Sequence, residues 1–190
     1  NTVIKNTLSS GIIGITGNIA AYNCLVFNCG QYNVQLEYGG VYEFEHCTFA
    51  NYSSYLVNHK DPVLRLSNYY EYEQIIYASN YFESNFKNCI IYGGMEDEIE
   101  KDFFNDDSIN TIYLFDHCNI KSKEYASDTS MNNCIINYSP LFSDVSSDDY
   151  ELMSSSPCID AGATSVLNTD LNGNMRPVGA SNDIGCYEFQ

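Results

Sequence analysis

A short cysteine-centred motif recurs five times along the chain, and this recurrence constrains the fold more than any other feature. Each copy has Asn or His directly before the cysteine and an apolar residue two positions after it. The copies are centred on Cys24, Cys47, Cys89, Cys118 and Cys134, and a partial copy at residues 1–6 has Thr2 in the cysteine position. The first two intervals are 22 and 23 residues. A period of this length is typical of stacked repeat proteins.

The apolar positions around each cysteine alternate, as they do in a β-strand with one buried face. Because successive side chains of a strand point to opposite faces, the cysteine and the residue two positions later share a face. A further apolar residue stands three positions before each cysteine. A repeat of 22 to 23 residues is shorter than a βαβ unit of about 30 residues. The sequence therefore predicts an all-β right-handed parallel β-helix, a solenoid with a loop-rich C-terminal cap.

The five motif cysteines, Cys24, Cys47, Cys89, Cys118 and Cys134, are predicted to form a buried core ladder. Free cysteine is among the most buried residue types, and the chain lacks the CxxC pairs typical of zinc sites. No metal or cofactor is predicted. The Asn or His before each cysteine is interpreted as a hydrogen-bonding residue at a bend. His46 and His117 follow Glu45 and Asp116, so acid–base chemistry is the alternative interpretation for these two histidines.

The domain organisation follows from where the motif ends. Residues 1–137 are predicted to be β-helix turns, and residues 138–190 a C-terminal capping region of the same domain. Asn1 falls inside a repeat, whereas solenoids need capped ends. The chain is therefore expected to belong to a longer protein with further turns before Asn1.

The charge of the chain excludes some classes of partner. Eight Lys and Arg residues stand against 25 Asp and Glu residues, which gives a formal net charge of −17. This charge repels nucleic acids and anionic membrane surfaces. No segment approaches the roughly 18 apolar residues of a membrane span, so no span is predicted.

Three strings near the C-terminus resemble those of a known family. They are Ser-Pro-Cys-Ile-Asp-Ala-Gly at 156–162, Asp-Leu-Asn-Gly-Asn-Met-Arg-Pro at 170–177 and Asp-Ile-Gly-Cys-Tyr-Glu at 183–188. Together they resemble the carboxy-terminal end of pectate-lyase-like β-helix proteins, which Gram-negative bacteria secrete or anchor at the cell surface. The resemblance implies a secreted or cell-surface location and a polysaccharide or glycan as partner. Such proteins include lyases, glycan-binding proteins and adhesins.

Two cysteines depart from the family strings. Cys158 and Cys186 stand where the family usually has alanine. Because secreted proteins meet oxidising conditions, this matched departure implies a disulfide between them. Asp170, Arg176 and Asp183 in the same strings are expected to pair with one another, and a calcium loop starting at Asp170 is the alternative.

The function predicted from these features is glycan interaction without catalysis in this portion of the protein. Basic residues are scattered, and no neighbouring copies repeat an acid, so catalytic residues are not identified. Tyr69, Tyr70 and Tyr72, which fit no core position fully, are the candidate glycan contacts. The alternatives are a polysaccharide lyase or glycoside hydrolase with its groove on upstream turns, and an adhesin or structural stalk. The sequence leaves the oligomeric state open.

Overall fold

The computed structural model describes residues 1–53 and 58–190 as an all-β chain, with 48% of residues in strands and 2% in helix. The strands in chain order are β1 (Thr2–Thr7), β2 (Ile12–Tyr22), β3 (Cys24–Cys29), β4 (Val34–Glu45), β5 (Thr48–Asn51), β6 (Leu64–Ser67), β7 (Tyr69–Tyr72), β8 (Ile75–Ala78), β9 (Tyr81–Lys87), β10 (Ile90–Gly93), β11 (Ile99–Asp102), β12 (Asn110–Asp116), β13 (Asn119–Ile120), β14 (Met131–Asn132), β15 (Ile135–Ile136), β16 (Phe142–Asp144) and β17 (Asp149–Leu152). A short 3₁₀ helix, Val145–Ser147, connects β16 to β17. Within the described ranges, no helix has the length and hydropathy needed to cross a membrane.

The cysteine motifs build a six-stranded parallel sheet with the order β1-β3-β5-β10-β13-β15. Equivalent positions of the motif pair across this sheet, beginning with Thr2 beside Cys24. The apolar residues two positions after each cysteine position form one continuous row, Ile4, Val26, Phe49, Ile91, Ile120 and Ile136. The repeat in the sequence is therefore a repeat of strand register.

The residue before each motif cysteine has a left-handed backbone conformation. Its φ lies between 49° and 54° in all five copies, at Asn23, His46, Asn88, His117 and Asn133. Asn and His adopt positive φ more readily than most other residues with a side chain. This conformational requirement explains why the position before the cysteine is always Asn or His.

The second large sheet has seven parallel strands and is curled into a half-barrel. Its main path is β11-β6-β4-β9-β12-β14, and β2 pairs with β4 outside that path. Strand β4 pairs with β6 over residues 34–36 and with β9 over residues 40–45. Between these stretches Tyr38, Gly39 and Gly40 have φ values of 59°, 98° and 113°. A Cβ at Gly39 would lie 2.1 Å from Ser79 Oγ, so this bend requires glycine.

The structure corrects the predicted right-handed parallel β-helix with a loop-rich C-terminal cap. The chain is all-β and its large sheets are parallel, but the curled sheet branches at β4, so the strands do not form the regular solenoid that was predicted. The physical reason is the bend at residues 38–40, because it lets one 12-residue strand pair with two shorter strands. The uneven spacing of the later motifs, 29 residues from Cys89 to Cys118 and 16 from Cys118 to Cys134, agrees with this irregularity.

The core lies between the two large sheets, and aromatic rings fill it in register. Phe44, Phe86 and Phe115 pair across β4, β9 and β12, and their rings stack with centroids 5.0 and 5.1 Å apart. Phe49 of the six-stranded sheet meets Phe44 edge-on at 5.5 Å. Burial of each such ring stabilises the fold by about 1.5–3 kcal/mol. These rings and the motif cysteines hold the two sheets together.

The motif cysteines line the same core. Cys24, Cys47, Cys89 and Cys118 are buried, and Cys134 at the last copy is half-buried. From the second copy onward, each thiol lies 3.4 Å from a backbone carbonyl oxygen of the preceding copy, those of Ala21, Phe44, Phe86 and Phe115. Burial raises the pKa of the Cys89 thiol above its ordinary value. Structural thiols buried in apolar surroundings are unreactive.

The C-terminal segment, residues 139–190, lies along the outer face of the six-stranded sheet. Tyr150 and Cys186 pack against Leu25 and Phe27 of β3, and further along the sheet Leu152, Cys158 and Ile184 pack against Ile90 of β10. Strand β3 is consequently buried on both faces. A strand covered on both sides has no solvent-facing positions, and the sequence of β3 accordingly lacks charged residues.

The disulfide predicted between Cys158 and Cys186 is not formed in the structure. Both residues are buried free thiols, and they belong to different apolar clusters. The Cys158 sulfur accepts a hydrogen bond from Asn119 Nδ2 at 3.2 Å, and the Cys186 amide donates to Thr48 Oγ1 at 3.0 Å. Burial raises the pKa of each thiol to about 12. Each cysteine therefore anchors the C-terminal segment to the sheet, not to the other cysteine.

Candidate functional site

The segment that carries the predicted glycan contacts is an antiparallel hairpin of β7 and β8. Tyr70 pairs with Tyr77 and Tyr72 pairs with Ile75. Directly opposed residues and those two positions apart share a face of a hairpin, so these four side chains lie on one side. The exposed fractions of Tyr70 and Tyr72 are 40% and 60%. Two of the three predicted tyrosines therefore face solvent together.

Tyr69 lies on the opposite face of the hairpin and is only partly exposed. Its hydroxyl donates a hydrogen bond of 2.9 Å to Asp102 Oδ1, and its ring lies 6.1 Å from the ring of Phe104. The hydrogen bond to Asp102 raises the pKa of the Tyr69 hydroxyl. Tyr69 thus holds the hairpin to β11 and does not share the exposed surface of Tyr70 and Tyr72.

Four tyrosines form one surface, called here the tyrosine patch: Tyr38, Tyr70, Tyr72 and Tyr77. The rings of Tyr70 and Tyr77 stack with centroids 5.0 Å apart and an interplanar angle of 10°. Tyr38 meets Tyr70 edge-on at 4.8 Å. Ile15 and Glu37 complete a small open pocket with Tyr38 and Tyr70. The patch joins the hairpin to the bend of β4.

The backbone of Tyr38 is strained. Its φ is 59°, a value that is unusual for a bulky side chain. Such residues cost about 1–3 kcal/mol each and cluster at functional sites. The strain places the Tyr38 ring against Tyr70, where it completes the patch.

A charged cluster, the Arg65 cluster, adjoins the patch and consists of Arg65, Glu37, Glu100 and Asp102. Arg65 Nε donates to Glu37 Oε1 at 3.1 Å and Nη2 to Asp102 Oδ2 at 2.8 Å, while Nη1 contacts Glu100. Tyr32 also donates to Glu100, at 2.8 Å. One guanidinium against three carboxylates leaves the cluster with a negative formal charge. Glu37 belongs to both the cluster and the pocket of the patch.

This arrangement has the chemistry of a binding site. The tyrosine rings present apolar faces with polar tips, and the neighbouring carboxylates accept hydrogen bonds from hydroxyl or amino groups. Because Arg65 and Tyr69 fix the carboxylates, the acceptors are held in place before a ligand arrives.

A second acidic surface lies on the outer face of the curled sheet, but its carboxylates are engaged internally. Glu45 lies 3.0 Å from Lys87 Nζ, an ion pair without the alignment of a hydrogen bond. Glu83 accepts a hydrogen bond of 2.8 Å from Asn85. Asp116 accepts one of 2.7 Å from Asn132 Nδ2. These three carboxylates therefore stabilise the sheet surface.

The histidines of the motif differ in environment. His46 is fully buried, Arg176 Nη1 donates to its Nδ1, and Asn88 Nδ2 lies 3.0 Å from its Nε2. Burial, followed by the positive charge of Arg176, lowers the pKa of His46 to about 3. His117 is partly exposed, with Nδ1 3.0 Å from Asp116 Oδ1. The environment of His46 is that of a structural hydrogen-bonding residue.

The second and third C-terminal strings meet at Arg176. Its guanidinium donates to the backbone carbonyls of Asp183 and Gly185 at 3.2 and 3.1 Å, and its Nε lies 3.3 Å from Glu188 Oε2. The Asp170 carboxylate is occupied by backbone amides, including that of Asn174 at 2.8 Å. Across residues 1–53 and 58–190, no group of three or more His, Cys, Asp or Glu side chains is arranged to hold a metal ion.

The sequence singled out Tyr70 and Tyr72 but not Tyr38 and Arg65, which the structure places beside the hairpin. Tyr38 is more than 30 residues away from the hairpin in sequence, and only the sheet brings it close. The available signal was the Tyr38-Gly39-Gly40 string, since two consecutive glycines inside a strand pattern indicate a bend or bulge.

Comparisons with known proteins do not assign this site. Neither a scan against protein-family models nor searches of curated proteins and of solved structures find a match.

Proposed function

We propose that the tyrosine patch binds a glycan and that this chain is a glycan-interaction domain. The observation that carries the proposal is the stacked, exposed pair Tyr70 and Tyr77, with Tyr38 edge-on against Tyr70. Large rigid rings exposed together bind at a small cost in conformational entropy. Sugar rings have apolar C–H faces that suit aromatic rings, and hydroxyl groups that suit the carboxylates of the Arg65 cluster.

The proposed location is the cell surface or exterior of a Gram-negative bacterium. Its support is the resemblance of the strings at 156–162, 170–177 and 183–188 to surface proteins of such bacteria. The second and third strings meet at Arg176, and the first joins the third where the Asp160 amide donates to Asp183 Oδ1 at 2.7 Å, so the three strings pack as one unit.

Retention on immobilised polysaccharides tests the proposal. The chain is incubated with insoluble neutral, acidic and amine-bearing glycans, and bound protein is measured after washing. We expect retention on at least one glycan and a loss of about tenfold in affinity for Tyr70→Ala and Tyr72→Ala, because each removes a contact ring. Polyanionic glycans are expected to bind poorly because the chain carries a net charge of −17.

Tyr138→Ala is the matched control, since Tyr138 is 68% exposed and lies outside the patch. It should bind as the unmodified chain does. Equal losses in all three variants, or no retention on any glycan, would contradict the proposal. New reducing ends would instead favour a hydrolase and new unsaturated ends a lyase, while attachment to cells without glycan binding would favour an adhesin.

A further inference from the structure

We infer that the tyrosine patch selects glycans that carry free amino groups, such as polymers of a 2-amino-2-deoxy sugar. The inference rests on the proposed function and deepens it. The observation is a juxtaposition of exposed tyrosine rings with carboxylates that outnumber the nearby cations. Neither feature alone defines the ligand, but together they match a sugar with a positive charge.

The first step concerns the charge around the patch. The three carboxylates of the Arg65 cluster share a single guanidinium. Glu71, on the Tyr69 side of the hairpin, and Glu73, in its turn, are exposed, and among the described residues neither forms an ion pair. The patch therefore lies in a negative field, which raises the local concentration of cationic ligands.

The second step concerns the aromatic rings. An ammonium group within about 6 Å of a tyrosine ring face is attracted by the ring quadrupole. Elsewhere in the described part of the chain, Lys and Arg side chains lie over aromatic rings. Lys101 Nζ, for example, is 3.6 Å from the ring centroid of Tyr125. Among the residues that the structure describes, no Lys or Arg lies over a ring of the four tyrosines of the patch. Their exposed faces are thus available to a cation from a ligand.

The third step concerns the carboxylate inside the pocket. Glu37 lies beside Ile15, Tyr38 and Tyr70, and its side chain is 21% exposed. Arg65 Nε donates to this carboxylate at 3.1 Å, but the same guanidinium also serves the other two carboxylates of the cluster. A neutral sugar that covered the carboxylate would remove its remaining water without adding positive charge, which is unfavourable. A protonated amino group supplies that charge and donates hydrogen bonds to the carboxylate. Binding of an amine-bearing sugar therefore avoids the desolvation cost that a neutral sugar meets.

The experiment compares three oligosaccharides of the same length and linkage. They are chitosan, chitin and cellulose hexamers, which carry an amino, an acetamido and a hydroxyl group at the same carbon. Calorimetric titration is done at about pH 5.5, above ordinary carboxyl pKa values and below that of an aliphatic amine. We expect the chitosan hexamer to bind about tenfold more tightly than the other two. In about 1 M NaCl, where the Debye length is about 3 Å, this preference should largely disappear.

Variants locate the effect. Glu71→Gln and Glu73→Gln remove exposed charges at the hairpin, and together they should reduce the preference for the amino sugar about threefold or more. Glu151→Gln in the C-terminal segment is the control, because the amide keeps the oxygen that accepts from Asn172 at 2.9 Å. It should leave the preference unchanged.

The outcomes separate the inference from the proposed function. Equal binding of all three hexamers that depends on Tyr70 and Tyr72 would overturn the inference and leave the proposed function in place. Chitosan binding unaffected by Tyr70→Ala, or matched by a hexalysine peptide, would show attraction by charge alone and also overturn it. Failure of every hexamer to bind, together with failure of the polysaccharide panel, would overturn both.

Discussion

At the scale of single residues, the left-handed position before each cysteine is the most informative feature of the chain. The five residues concerned share nearly the same φ, but their side chains have different tasks. Asn23 and Asn88 donate to backbone carbonyls of the C-terminal segment, at 2.8 and 2.9 Å. Asn133 is exposed, and its side chain forms no hydrogen bond within residues 1–53 and 58–190. In every copy the residue at this position therefore supplies the positive φ that the backbone requires. In some copies its side chain also binds the C-terminal segment.

Substitutions at Asn133 and Asn88 separate these two tasks. Asn133→Ala should lower the free energy of unfolding by about 1 kcal/mol because alanine disfavours positive φ, whereas Asn133→Gly should change it by about 0.5 kcal/mol or less. Asn88→Gly keeps the backbone conformation but removes the bonds to Ala163, 2.7 and 2.9 Å long. It should cost about 2–3 kcal/mol. Urea unfolding measures all three, and equal costs for Asn133→Gly and Asn88→Gly would refute the distinction.

His46 makes the stability of the fold depend on pH. Its pKa is lowered to about 3 by burial and by Arg176, against an ordinary value of about 6.5. As the pH falls, His46 is protonated in the unfolded chain before it is protonated in the folded one. Its contribution to the free energy of unfolding is therefore complete above about pH 6.5 and is lost as the pH falls toward 3. Between pH 6.5 and 5 this should remove about 2 kcal/mol of stability.

The matched variant is His46→Asn, since asparagine occupies this position in other copies of the motif. The variant is expected to be less stable at pH 7 but to lose about 2 kcal/mol less than the unmodified chain on acidification. The change in urea midpoint between the two pH values is measured for each protein. Subtracting one change from the other removes the effect of all groups that titrate alike in both proteins. Parallel losses in both proteins would exclude His46 as the cause.

At the scale of elements, the β7–β8 hairpin is the least conventional part of the structure. Its two-residue turn consists of Glu73 and Gln74, with φ values of 50° and 64°. Two consecutive positive φ values correspond to a type I′ turn, which favours Asn-Gly. The chain therefore keeps an unfavourable turn beneath an exposed aromatic surface, and Tyr69 compensates in part through its bond to Asp102.

Replacement of this turn should stabilise the hairpin. The double variant Glu73→Asn with Gln74→Gly is expected to slow amide exchange at Tyr70 and Tyr77 by about fivefold, equivalent to about 1 kcal/mol of local stability. Gln74→Val, which places a β-branched residue at positive φ, is the opposing control and should speed exchange. Unchanged exchange in both variants would mean that the turn does not limit the stability of the hairpin.

At the scale of the whole molecule, the sequence predicted the local strand patterns better than it predicted the arrangement of the sheets. The rows of Ile4 to Ile136 and of Phe44 to Phe115 follow from alternation around each cysteine, because strand side chains obey a period of two. The branching at β4 could not be predicted in this way, since it depends on three positive φ values at residues 38–40. Tyr70 and Tyr72 were accessible to sequence reasoning as polar-tipped rings outside the core pattern. Tyr38 and Arg65 were not, because only long-range pairing brings them to the hairpin.

We propose that a glycan binds at the tyrosine patch and at no other surface of this chain. Hydrogen exchange of the full chain with and without the best-retained glycan tests it directly. We expect slower exchange at residues 34–40 and 69–78, which include the bend of β4 and the hairpin, and unchanged exchange along the C-terminal segment at 139–190. Protection confined to the outer face of β9 and β12, or to the C-terminal segment, would contradict the claim.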